Sequence, residues 1–147
     1  AVAFSPLGGQ LASSSASGDL VLWNLDDNGK VTSTNTLRGH VDRALDIDYR
    51  DDGKQLASAG FDRTVRLWDL TADDPARAAT VIRAFDAPVW SVDYSPDGFI
   101  TTGTQDGEIA TWDLRTSALM AEAASIAGRE LTDAERKRYF DLSAGKE

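Results

Sequence analysis

The single histidine of the chain, His40, stands 18 residues before Ser58 and 22 before Asp62, and these three side chains are the components of a nucleophilic triad. In that chemistry the imidazole takes the serine proton and the carboxylate holds the imidazole in place. The same groups, joined by Trp68, can also form a closed polar chain. The indole N–H donates to the Ser58 hydroxyl, the hydroxyl to the imidazole, and the imidazole N–H to Asp62, so that each buried polar group is satisfied. Spacing separates the two readings. Ser58 and Asp62 precede Trp68 by ten and six residues, Thr102 and Asp106 precede Trp112 by the same ten and six, and Ser13 precedes Trp23 by ten. A nucleophile is not expected to recur in every copy of a repeat, and no Gly-x-Ser-x-Gly elbow is present. The expectation is a structural network at His40, Ser58, Asp62 and Trp68, echoed at Thr102, Asp106 and Trp112 and at Ser13 and Trp23.

Other acidic pairs invite weighing. Asp46 with Asp48, and Asp106 with Glu108, stand two apart and so share a strand face, but nothing nearby completes a coordination set. They read as solvated positions. One histidine and no cysteine cannot build a zinc site or a disulfide, and no phosphate-cradling loop is present, so neither metal nor cofactor is expected. The net charge is −9, from 24 acidic and 15 basic residues, which repels phosphate and argues against general nucleic-acid binding. No apolar run reaches the length of a bilayer span, and a cytoplasmic location is the expectation.

The elements that hold these residues are short. From Gly39 to Asp69 the apolar runs Ala44–Tyr49, Gln55–Ala59 and Thr64–Trp68 alternate with turns at Asp51-Asp52-Gly53 and Gly60–Arg63, the pattern of successive hairpins. The phrase repeats. Phe4, Tyr49 and Tyr94 are spaced by 45 and 45, and Trp23, Trp68 and Trp112 by 45 and 44. The first copy predicts strands at Gln10–Ser14, Leu20–Trp23 and Val31–Leu37, with Ser17 where the others carry Asp62 and Asp106. The second adds an outer strand near Ala79–Phe85 after a solvated loop at Thr71–Arg77. The third predicts strands at Val89–Tyr94, Phe99–Gly103 and Ile109–Trp112, with Phe85 at the position of His40. After Asp113 the period changes to that of helices, capped by Ser117 and then by the Thr132–Glu135 capping box.

Gly39-His40, Asp51-Asp52-Gly53, Leu56-Ala57-Ser58, Asp62 and Leu67-Trp68-Asp69, with Ser95-Pro96-Asp97-Gly98 and Trp112-Asp113, make this chain resemble the WD-repeat β-propeller family. The resemblance implies an all-β fold, a partial propeller of about three four-stranded antiparallel blades, at about 1–40, 41–87 and 88–116, with a short helical tail over 117–147. Propellers need about four to eight blades, so three copies are too few to close a ring and the chain reads as the C-terminal part of a longer protein. The stretch Ile126–Glu135 also resembles the end of propellers attached to bacterial signalling ATPases of the STAND type.

The resemblance implies a non-catalytic module that binds other proteins or peptides, with the remaining blades of the same protein as further partners and no nucleic acid or membrane. Alternatives are the sensor or regulatory part of a larger bacterial signalling ATPase or caspase-like effector and, more remotely, a propeller hydrolase. The family's contacts come from the segment entering the first strand and from the residue before the turn aspartate. Carried over, these are Arg43, Leu45 and Phe61 in the second copy and Pro88, Trp90 and Gln105 in the third, with Ala16 a weak match in the first. On a regular strand Trp90 would be buried with Val92 and Tyr94, which share its parity. The bulge usual in the family's first strand would turn Val89 inward and free Trp90.

Overall fold

The computed structural model describes residues 1–114. Eleven strands form three antiparallel sheets, each a meander in sequence order. The first sheet holds β1 (Val2–Phe4), β2 (Gln10–Ser14), β3 (Leu20–Leu25) and β4 (Val31–Leu37). The second holds β5 (Ala44–Tyr49), β6 (Gln55–Gly60), β7 (Val65–Asp69) and β8 (Thr80–Ile82), and the third β9 (Val89–Tyr94), β10 (Phe99–Thr104) and β11 (Ile109–Asp113). The all-β architecture is that of successive propeller blades. The third sheet has three strands among the described residues rather than the expected four. The expected helices and the Ile126–Glu135 motif lie outside those residues.

Tight turns set the hairpins. Gly53 and Gly98 adopt φ of 65° and 86°, and their N–H groups donate to Arg50 and Ser95 at 2.8 and 3.2 Å. The outer strand of the second sheet is shorter than expected, three residues instead of seven, because β7 begins at Val65, opposite Ile82, and does not extend beside residues 83–85. The preceding loop is largely exposed, as expected, but anchored. Pro75 is buried in that loop, Ala76 packs against the core, and the Asp74 carboxylate accepts the N–H groups of Ala76 and Arg77 at 3.1 and 3.2 Å.

The hydrophobic cores lie between sheets. One joins Ala12, Leu20, Leu22 and Leu37 of the first sheet to Ala44, Ile47, Tyr49, Leu56 and Trp68 of the second. The other joins Ala57, Ala59, Val65, Leu67 and Ile82 of the second to Val92, Tyr94, Ile100 and Trp112 of the third. Alternation along each strand therefore serves two cores, one facing the preceding sheet and one the following sheet. Burying these faces against each other is the main stabilising term, since no blade covers its own apolar surface.

Candidate functional site

The polar residues of the second sheet converge behind its turn. His40 Nε2 lies 2.7 Å from Ser58 Oγ, and the Trp68 indole N–H donates to the same oxygen at 2.9 Å. On the other edge of the ring, His40 Nδ1 lies 3.0 Å from both Asp62 oxygens. Asp62 also accepts the Thr64 hydroxyl at 2.7 Å and the N–H groups of Val41 and Thr64 at 3.0 and 3.1 Å. Burial raises the Asp62 carboxyl, but the bonds from His40 and Thr64 outweigh it and hold the group at about 2. The His40 and Asp62 side chains are 0% and 2% exposed and Ser58 is 0% exposed. The cluster is thus sealed from solvent.

The other two copies use different polar chemistry. Trp23 donates to Ser13 at 2.9 Å, and Trp112 to Thr102 at 3.3 Å, but the Thr102 hydroxyl donates its hydrogen bond to the Ala110 carbonyl. Asp106 does not join Thr102. It is exposed and accepts the Thr104 hydroxyl, because no imidazole spans the gap. Phe85, at the histidine position, instead packs on Trp112 with ring centroids 5.4 Å apart.

Gly60 explains the exchange. A Cβ there would fall against His40 Nδ1 and 2.5 Å from Asp62 Oδ1, so the residue is glycine to admit the imidazole. The equivalent positions carry Ser15 and Thr104, whose hydroxyls bond Ser17 at 2.7 Å and Asp106. In the third copy, where Phe85 stands at the histidine position, the Thr104 hydroxyl meets the turn aspartate instead. The signal was in the sequence, as the residue two before the turn aspartate.

The expected contact residues flank the same turns, Phe61 standing between Gly60 and Asp62 and Gln105 just before Asp106. Asp46 pairs with Ala59 and Ala44 with Gly60, so Leu45 is an extra residue, and Trp90 is likewise extra between Val89, opposite Thr104, and Ser91, opposite Gly103. The bulge leaves Val89 fully buried and Trp90 53% exposed. Arg43 lies over the Phe61 ring at 5.0 Å and its carbonyl accepts the Phe61 N–H at 2.8 Å. In the third sheet the Pro88 carbonyl accepts the Gln105 N–H at 2.9 Å. Leu45 and Pro88 are half-buried, while Gln105 and Ala16 are exposed.

Sequence reading missed the bonds that lock sheet to sheet. Tyr49 donates to the Gln10 side chain at 2.9 Å, and Tyr94 to Gln55 at 3.0 Å, one repeat later. Asp46 and Asp48 are not solvated. Their carboxylates accept the backbone N–H groups of Val92 and Tyr94 in the next sheet at 3.1 and 2.7 Å. Burial raises the Asp48 carboxyl, against the Tyr94 N–H that lowers it, and the nearby Asp93 charge raises it further. Among the described residues no group of acidic or histidine side chains could hold a metal ion, and no helix is long and apolar enough to cross a membrane.

Sheets linked in this way, with an indole-to-hydroxyl bond in each, define a blade-type repeat. The family model of the WD domain, G-beta repeat, matches residues 1–24, 31–69 and 79–113, and the chain belongs to that WD40 family. It is 31% identical to the transcriptional corepressor LEUNIG_HOMOLOG of Arabidopsis thaliana over 80% of this chain and 15% of that protein. It is 30% identical to the protein transport protein sec13 of Emericella nidulans over 63% of this chain and 32% of that one. Among solved structures, it is similar to the β-propeller domain of Cps50 (Swd1) from Myceliophteria thermophila, with a TM-score of 0.65 and 27% identity, over 78% of this chain and 35% of that chain. The chain spans between 15% and 35% of the length of these relatives.

Proposed function

We propose that this chain is a non-catalytic interaction scaffold that binds other proteins or peptides through the face carrying Arg43, Leu45, Phe61, Pro88, Trp90 and Gln105. The observation that supports it is the bulge at Trp90, which places 53% of a large aromatic in solvent on a rigid strand while its neighbour Val89 is fully buried. Exposed aromatics and guanidinium groups on a fixed scaffold are what interface hot spots are made of. The names of the relatives, a corepressor and a protein transport protein, fit work done by association. A hydrolytic role fits poorly, because Ser58 is sealed and its oxygen already holds two hydrogen bonds. The remaining blades of a longer polypeptide would be further partners, and a cytoplasmic setting suits the acidic surface. An upstream nucleotide-binding domain in the gene would make the propeller the sensor part of a signalling ATPase.

Selection of a displayed peptide library against the chain tests this reading. Trp90→Ala is expected to weaken the selected peptides by about 2 kcal/mol or more while circular dichroism stays unchanged. Peptides that bind the variant equally well, or a variant that unfolds, would reject Trp90 as a contact residue.

A further inference from the structure

Arg66 is a charged side chain that the fold half-encloses without pairing it. It stands on β7 opposite Ser58 and Val81, on the face it shares with Trp68, and so turns toward the first sheet. Its guanidinium lies 5.8 Å from the Trp68 ring centroid, and its Nη1 would stand 2.6 Å from a Cβ placed on Gly39. The group is wedged between an indole and bare backbone, at a junction with a sheet on both sides. Its Nε is buried and donates to nothing among the described residues, and no carboxylate among them forms an ion pair with it. Arg50 shows the contrast: its guanidinium donates twice to Asp52 and once to Gln55.

A second guanidinium adjoins the first. Arg83 follows Val81, the cross-strand partner of Arg66, by two residues, and it is exposed. Burial holds the Arg66 guanidinium below the usual arginine range; the Asp62 charge opposes this and the Arg83 charge adds to it. Asp62 is already committed to His40, Thr64 and the Val41 N–H. Two like charges therefore act on each other, in a chain of net charge −9, with no described carboxylate paired to either. The repeat itself does not demand this. Val21 and Ala110 stand at the position of Arg66, two before the blade tryptophan, and Ala84 stands where Gly39 leaves room. Among the three sheets, the arginine and the glycine that admits it belong to the second alone.

The geometry points to an oxyanion site on the outer rim between the first and second sheets, where Arg66 and Arg83 grip the phosphate of a monoester such as a phosphorylated side chain. One guanidinium fork is enough to fill a carboxylate, whereas the three terminal oxygens and near-double charge of a phosphate monoester match two forks. Arg66, stacked on Trp68, supplies the fixed fork, and the exposed Arg83 closes on the anion from outside. A polyanion would meet the acidic surface as a whole, but a single phosphate meets only these two groups. The site uses no residue of the face carrying Arg43 and Trp90, and it stands whether or not that face binds peptides.

Magnetic resonance of the isotope-labelled 147-residue chain tests the site through the Arg66 Nε–H resonance, titrated with N-acetyl-phosphoserine amide and with inorganic phosphate at fixed ionic strength. Both probes are expected to shift that resonance saturably, while the unphosphorylated serine amide and chloride leave it in place. Arg83→Gln, at an exposed position, is expected to raise the half-saturating concentration at least about tenfold. Arg66→Val, a replacement that the first sheet already carries at Val21, is expected to abolish the response at Arg83; if that variant does not fold, Arg83→Gln decides alone. A resonance that no phosphate moves, or an Arg83→Gln chain that binds as tightly as wild type, would overturn the inference. So would a site that takes inorganic phosphate and excludes the monoester.

Discussion

Replacing His40 with alanine separates a structural cluster from a catalytic one. The imidazole is bonded on both edges, to Ser58 at 2.7 Å and to Asp62 at 3.0 Å, in a side chain 0% exposed. Without it the Ser58 hydroxyl keeps the indole N–H of Trp68 but has no acceptor for its own proton. Asp62 retains Thr64 and the Val41 N–H. One orphaned, fully buried hydroxyl costs about 1–3 kcal/mol, and the void left beside Trp68 places the expected loss in the upper half of that range. Urea unfolding followed by tryptophan fluorescence measures it. In the His40→Ala, Ser58→Ala cycle the coupling should reach about 1 kcal/mol. The pH dependence carries a second signature. The Asp62 carboxyl is held at about 2, below its ordinary 3.8, so its contribution is complete above 3.8 and is lost as the pH falls towards 2. The gap between wild type and His40→Ala should shrink over that window. A loss below about 0.5 kcal/mol at neutral pH, or an intact fold that has lost a hydrolytic activity, would refute the reasoning.

Two further substitutions test the neighbouring elements. Gly60→Ala pushes a methyl group into His40 and Asp62 and is expected to cost about 1–3 kcal/mol, measured by the same unfolding assay; a neutral result would mean the network moves aside freely. Asp48→Asn keeps an oxygen for the Tyr94 N–H and removes a charge that burial disfavours, so it should be neutral or stabilising at pH 7, with wild type gaining on it as acid protonates the raised carboxyl. Asp48→Ala removes the acceptor and should lose about 1–3 kcal/mol; equal behaviour of the two variants would exclude the hydrogen bond as the reason for Asp48.

Local chemistry in the sequence determined the strands and their copying. Gly53 and Gly98 close turns that need positive φ, and the ten-residue step from hydroxyl to tryptophan is a distance along two paired strands, so both are written within a few neighbouring residues. The all-β repeat and the pairing of Trp68 with Ser58 were legible for that reason. The outer strand near Thr80 was overdrawn at its end, because β7 begins opposite Ile82 and the following Ala84 and Phe85 pack instead against the core shared with the third sheet. The absence of Asp106 from a chain with Thr102 could be anticipated from the missing histidine, but its turn to Thr104 depends on backbone geometry. Tertiary structure alone decided the roles of Asp46 and Asp48, whose partners lie 46 residues away on another sheet. The exposure of Trp90, which the bulge usual in the family anticipated against the parity of the strand, came from a register shift against β10. Parity along a strand says which residues share a face, but one inserted residue reverses it, and only the pairing strand specifies where that insertion is accommodated.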